Sequence, residues 1–138
     1  MREGDLEKFN LKLQKKYAEI MDNEQRLEEI DTKDAEVILV AYGTMARIAK
    51  SAVKSLRAKG IKAGLIRPIT LWPFPVNAFK RYAAGNKRLA FLAVEMSYGQ
   101  MVEDVRLAVC GSARVEFLGR SGGGIPTEEE IIKKVTGL

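Results

Sequence analysis

Four short apolar runs recur along this chain, and between each pair lies a segment with helical spacing. The clearest run is Val37-Ile38-Leu39-Val40-Ala41. It is continuous and β-branched, without alternating polar residues, as suits a strand covered on both faces. Residues 62–66, 88–94 and 115–119 repeat the pattern more weakly. Strand and helix in regular alternation predict an α/β fold, a mostly parallel sheet held between two layers of helices. Right-handed crossovers then limit the possible topologies. A chain of 138 residues forms one such domain and buries a core without disulfide staples.

The helical segments are bounded by local signals. Tyr42-Gly43-Thr44 leads into a helix over 45–59, ended by Gly60 at the usual glycine position. Met45, Ile48, Ala52, Val53 and Leu56 form its core face. Arg47, Lys50, Lys54 and Arg57 line the opposite face, either as a solvated surface or as a docking surface for an acidic partner or a neighbouring subunit. A short helix over 76–84 carries Val76, Phe79, Tyr82 and Ala83 and is closed by Gly85-Asn86. Ser97 with Gln100 three residues later reads as a capping box opening a helix whose inner face is Met101, Val105, Ala108 and Val109, stopped at Gly111. Thr127-Glu128-Glu129-Glu130 is a second capping box, opening a terminal helix that runs through Val135.

Two segments precede the first apolar run. Asp5 is placed to cap a helix reaching Asn23, with Leu6, Phe9, Leu13, Tyr17 and Ile20 in one narrow stripe. That stripe has to dock, on the body of its own domain or on a partner; the domain's own body is the simpler expectation. Residues 26–30 read as a short charged edge strand, where charge guards against edge pairing. The division expected is a linking helix over 1–25 and a globular domain over 26–138.

Ile66-Arg67-Pro68-Ile69-Thr70-Leu71-Trp72-Pro73-Phe74-Pro75 is a stiff corner between a strand and a helix. Its three prolines fix φ and remove three backbone donors, so regular structure is expected to stop there. It holds the only tryptophan. Trp72 and Phe74 could fill the core or face a subunit partner, while Arg67 and Thr70 are the corner's polar members. An arginine leaving a buried strand calls for a carboxylate partner.

Composition narrows the chemistry. The chain has no histidine and one cysteine, Cys110, so a zinc or iron–sulfur site built by this chain alone is not expected. The commonest general acid/base is absent too. Cys110 reads as a small buried hydrophobe, and a single cysteine with no internal disulfide points to a reducing cytoplasm. No apolar run is long enough to span a membrane, and the first residues lead into a charged helix rather than a signal peptide. The net charge of +5 is uneven: residues 1–36 carry −4 and residues 37–125 carry +10. A basic body attracts anions of many kinds, and charge alone selects none of them.

The corner, together with Gly64-Leu65, resembles a signature of the α subunit of 2-oxoacid:ferredoxin oxidoreductases of the 2-oxoisovalerate, 2-oxoglutarate or pyruvate type, within their transketolase C-terminal-like domain. Three further stretches resemble the same family in the same order. They are Ala35-Glu36-Val37-Ile38-Leu39-Val40-Ala41-Tyr42-Gly43-Thr44, Val94-Glu95-Met96-Ser97-Tyr98-Gly99-Gln100-Met101 and Gly119-Arg120-Ser121-Gly122-Gly123-Gly124-Ile125-Pro126-Thr127. The resemblance implies a three-layer α/β/α sandwich with a five-stranded sheet of order 1-3-2-4-5, its first strand antiparallel. It also implies that this is the end of a longer subunit, whose cofactor-binding half precedes it. The resembled enzymes decarboxylate a 2-oxoacid, form an acyl-coenzyme A and pass electrons through iron–sulfur clusters to ferredoxin. Their thiamine diphosphate and Mg2+ are held by other domains, so this domain is expected to bind no cofactor and to be inactive alone. Its partners would be the other domains and subunits of the complex, and ferredoxin through them, with neither nucleic acid nor membrane.

With that strand order, Gly43-Thr44 and the stretch from Glu95 to Gln100 meet where strand order reverses, the usual ligand crevice of open α/β sheets. Gly43 and Thr44 at a helix start are candidates for holding an anion, although Glu95 at the same rim opposes one. Glu95 itself could be a general base, an acceptor across a subunit interface, or a carboxylate taking up helix-start amides. Arg120, Ser121, Gly122, Gly123 and Gly124 could form an anion nest; alternatively the three adjacent glycines serve close backbone approach to another domain, or a sharp return to the last helix. Arg67, Thr70, Trp72, Phe74, Glu95 and Gln100 are the interface candidates. Catalytic and metal-binding residues are not assigned. The alternative function is a stand-alone module holding an anionic small molecule at the strand-end crevice or the 119–124 loop, possible also as a homo-oligomer. A nucleic-acid surface along Arg47–Arg57 is the weaker alternative, since no aromatics are interleaved there.

Overall fold

The computed structural model describes residues 4–85 and 88–138. Ten elements follow one another: α1 (Asp5–Asn23), β1 (Leu27–Ile30), β2 (Val37–Val40), α2 (Gly43–Ala58), β3 (Ala63–Pro68), α3 (Val76–Gly85), β4 (Ala90–Glu95), α4 (Met101–Val109), β5 (Arg114–Gly119) and α5 (Glu128–Thr136). The sheet has the order β1-β3-β2-β4-β5, as the family resemblance implies. β1 runs antiparallel to β3, with Leu27 opposite Pro68, and the other three pairings are parallel.

The continuity of the apolar runs is explained by the two layers. Val37 and Leu39 point into a core shared with α2 and α5, through Met45, Val53, Leu56 and Ile131. Ile38 and Val40 point the opposite way, into a core shared with α3 and α4 through Phe79, Val102 and Val105. A period of two with both faces covered leaves no position for a polar residue. Phe79 and Phe91, both fully buried, contribute about 1.5–3 kcal/mol each by burial.

Local signals hold unevenly. The Thr127 box is present in both halves: Thr127 Oγ1 accepts from Glu130 N, and the Glu130 side chain accepts from Thr127 N. The Ser97–Gln100 box is not. α4 begins only at Met101, and its amides are taken up by Glu95. Asp5 is the first residue of α1 rather than its cap; Gly4 stands at the cap with φ 84°. In α2, Ala46 and Ala49 join the core while Ile48 is only half-buried. Arg57 leaves the basic face altogether. Its guanidinium donates to Asp34 Oδ1 at 2.6 Å and to the carbonyls of Asp31 and Ala63. That hydrogen bond holds Asp34 below its ordinary pKa.

Three further expectations fail. β3 continues through Arg67 and Pro68, since β1 pairs with that stretch from the edge. Cys110 is exposed, because it forms the left-handed cap of α4 at φ 47°. α1 buries none of its residues: Leu6, Phe9 and Leu11 are more than half exposed. The expected closure of α3 by Gly85-Asn86 falls partly outside the described residues, and Gly85 is the helix's last residue. Among the described residues no helix is long and apolar enough to cross a membrane.

Candidate functional site

The carboxyl ends of β2 and β4 meet where strand order reverses. The crevice there has a volume of about 200 Å³, and Tyr42, Gly43, Thr44, Met45, Glu95, Met96, Ser97 and Gln100 line it. The predicted meeting of Gly43-Thr44 with the Glu95–Gln100 stretch is therefore present. Gly43 has φ 56°, a left-handed value that lets the chain turn from β2 straight into α2.

Glu95 is the centre of this region. It ends β4 and is only 2% exposed. Its Oε2 accepts from Ser97 Oγ at 2.9 Å, Gln100 N at 3.0 Å and Met101 N at 3.1 Å. Its Oε1 accepts from Val102 N at 2.9 Å. Three of the donors are amides at the start of α4, which would otherwise be orphaned inside the protein. A carboxylate in that position also sits favourably on the helix dipole. With four donors around its two oxygens, Glu95 is a structural cap, and neither a partner-facing acceptor nor a free base. The sequence signal for it is a carboxylate six residues before a helix that lacks its own capping side chain. Its field reaches further: burial first, then the charges of Glu95 and Glu103, raise the pKa of Asp104.

The glycine loop belongs to the same support. Gly119 pairs with Glu95 in the β4–β5 register, and Arg120 N donates to the Glu95 carbonyl at 3.2 Å. A Cβ on Gly119 would lie 2.2 Å from the Ser97 carbonyl and 2.2 Å from the Phe117 ring. Close backbone approach is thus what Gly119 provides. Gly122 and Gly123 take φ 69° and 86° to turn the chain toward α5. Arg120 is drawn to Glu130 at 3.1 Å, away from any nest its neighbours would form. None of Arg120, Ser121, Gly122, Gly123 or Gly124 lines the strand-end crevice.

The proline corner divides its two aromatics. Phe74 is 8% exposed and stacks on Phe79 with ring centroids 5.1 Å apart, so it belongs to the core. Trp72 is 58% exposed and meets Tyr17 of α1 edge-on, centroids 5.6 Å apart. Thr70 ties the corner to the start of the sheet: its Oγ1 accepts from Arg26 N at 3.0 Å and donates to the Pro73 carbonyl at 2.9 Å. Arg67 finds its carboxylate inside the domain, in Glu28 at 3.0 Å. Gln100 is exposed, with its backbone N–H on Glu95. Trp72, Ile69 and Leu71 of the corner, with Leu6, Phe9, Leu11 and Met21 of α1, leave much apolar surface in water. The Tyr17–Trp72 contact was not legible in the sequence, because neither residue carries a pairing signal.

This architecture defines a transketolase C-terminal-like α/β domain, with the carboxylate at its strand-end rim committed to a helix start. The family described as pyruvate:ferredoxin oxidoreductase core domain II matches residues 35–131, and the chain belongs to that family. It is 49% identical to the ketoisovalerate oxidoreductase subunit VorB of Methanothermobacter marburgensis, over 95% of this chain and 36% of the relative. It is 38% identical to the 2-oxoglutarate synthase subunit KorA of the same organism, over 78% of this chain and 28% of the relative. The chain thus spans about a third of the length of these curated relatives. Among solved structures, it overlays on a 2-oxoglutarate:ferredoxin oxidoreductase from Magnetococcus marinus with a TM-score of 0.78 at 23% identity, covering 99% of this chain and 23% of the other. A probable 2-oxoacid ferredoxin oxidoreductase α chain from Thermoplasma acidophilum gives a TM-score of 0.52 at 23% identity, covering 81% of this chain and 95% of that one.

Proposed function

We propose that this domain is an assembly element of a thiamine-diphosphate-dependent 2-oxoacid:ferredoxin oxidoreductase, the C-terminal part of its α subunit, without a catalytic residue of its own. The observation that carries this reading is the apolar surface of α1 and the proline corner. A 19-residue helix with no buried residue, beside a half-exposed tryptophan, needs cover from outside the domain. Aromatics on a proline-stiffened loop suit an interface, since little entropy is lost when they dock. Support also comes from the relatives, named as oxidoreductase subunits and matched over about a third of their length.

In this reading α1 is the linking helix, and residues 26–138 form the domain it joins to the cofactor-binding half. Thiamine diphosphate, Mg2+, the iron–sulfur clusters and coenzyme A belong to other parts of the complex. The whole assembly turns a 2-oxoacid into an acyl-coenzyme A in the cytoplasm and hands electrons to ferredoxin. Glu95, saturated by four donors, supports the non-catalytic role.

The test is to express this chain joined to the cofactor-binding half of its α subunit, together with the thiamine-binding and iron–sulfur subunits of the complex. The parent chain is expected to co-purify as a complex that reduces a viologen dye with a 2-oxoacid and coenzyme A. The pair Phe9→Glu and Trp72→Glu is expected to lose the complex while the isolated chain keeps its melting temperature. Undiminished assembly of the double variant, or oxidation of a 2-oxoacid by the isolated 138 residues, refutes the proposal.

A further inference from the structure

A second groove lies on the flank of α2 that faces the β1 edge, adjoining the strand-end crevice at Gly43. Ala46 and Leu65 line it, both buried, and Ile30 is half-buried beside them. Arg47 and Lys50 from α2 and Arg67 from β3 also line it, with Glu28 the one carboxylate among the lining residues. Its volume is about 240 Å³. Three cations against one carboxylate leave it with two uncompensated positive charges.

Elsewhere arginines are tied to carboxylates, as Arg57 is to Asp34 and Arg120 to Glu130. Among the described residues, neither Arg47 nor Lys50 has such a pairing. Arg67 does, but through Nη1 alone. A guanidinium has five N–H donors in a rigid fork, so Glu28 fixes its orientation and leaves donors over.

We propose that this groove binds the phosphate of a small molecule through Arg47, Lys50 and Arg67. A phosphate dianion matches the surplus charge, and planar guanidinium forks match its oxygens. The apolar lining strengthens such contacts by keeping water from one side. The volume suits inorganic phosphate or pyrophosphate, so a larger ligand would leave its remainder outside. The groove lies along the C-terminal half of β3, one strand away from the point where strand order reverses. The inference stands apart from the subunit reading in what tests it, since Arg47 and Lys50 lie on α2 and no residue of α1 is used; only Arg67 is shared with the proline corner.

Titration of inorganic phosphate and pyrophosphate into the 15N-labelled chain at low ionic strength, followed by amide shifts, tests it. Saturable shifts centred on Ala46, Arg47 and Arg67 are expected, with pyrophosphate binding tighter. Arg47→Gln and Lys50→Gln are each expected to weaken binding about tenfold, the loss of a hydrogen bond to a charged group. Lys54→Gln removes an equal charge from the same helix outside the groove and is expected to change affinity less than about twofold. The variants' unchanged spectra elsewhere report that they fold. Shifts reproduced by sodium chloride at the same ionic strength, an equal loss with Lys54→Gln, or no saturation at all would each overturn the proposal.

Discussion

Replacing Glu95 by glutamine keeps the side chain's volume and removes its charge, which isolates the cap from the packing around it. The carboxylate takes three donors on Oε2 and one on Oε1. In Glu95→Gln the amide oxygen can serve only one side. With that oxygen toward Ser97, Gln100 and Met101, the new NH2 group faces the Val102 N–H, donor against donor. One buried amide is then unsatisfied, at about 1–3 kcal/mol, and the three surviving bonds lose their charge assistance. The loss of the dipole interaction acts in the same direction. Together these come to about 3 kcal/mol, which for a chain of this length lowers the melting temperature by roughly 10 °C. Thermal and urea unfolding by circular dichroism measure it, with an unchanged urea slope showing that the loss belongs to the folded state. Ser97→Ala, which removes one donor and orphans nothing in the backbone, is expected to cost only about 1 kcal/mol. A Glu95→Gln protein melting within about 2 °C of the parent would show that the α4 amides do not depend on this carboxylate.

Other expectations follow from single contacts. Gly119→Ala puts a Cβ 2.2 Å from the Ser97 carbonyl, and the expected loss is about 3 kcal/mol or more, read as reduced soluble yield and an earlier urea midpoint. Phe74→Ala should cost about 3–5 kcal/mol because the ring fills the core against Phe79. Trp72→Ala, two residues earlier and exposed, should cost under about 1 kcal/mol; equal losses for the two would contradict their assigned positions. Asp104 has a raised pKa, so the fold favours its protonated form and loses that preference as pH rises through the folded value. Asp104→Asn is therefore expected to melt higher than the parent at neutral pH and equally near about pH 3, with a lower melting point at neutral pH refuting the sign.

The layered α/β architecture was legible because its determinants are local or repetitive. A strand covered on both faces needs an unbroken apolar run, and Val37-Ile38-Leu39-Val40 is one. The Thr127–Glu130 box closes over three residues, so nothing distant can compete with it easily. The strand order came instead from likeness to a family, which carries long-range information that periodicity lacks.

The candidate site was legible only as a place. Gly43-Thr44 and the Glu95–Gln100 stretch were expected to meet, and they do. What each side chain does there was decided by partners further off. Ser97 and Gln100 have the spacing of a capping box, yet Glu95 reaches the same amides from the end of β4 and takes them first. Gly119, 24 positions beyond Glu95 in the β4–β5 register, keeps that region closed by lacking a side chain.

By itself the sequence determined which segments become strands and helices, because burial on two faces and short-range capping are written into neighbouring residues. Only the tertiary structure decided the fates of chemically similar groups. Phe74 turned inward and Trp72 outward; Arg57 took Asp34 while Arg47 took no carboxylate among the described residues. α1 kept the right periodicity for a docked helix and found no core to dock on. The physical reason is the same in each case: a side chain's environment depends on what the fold brings beside it, and that neighbour can lie dozens of residues away.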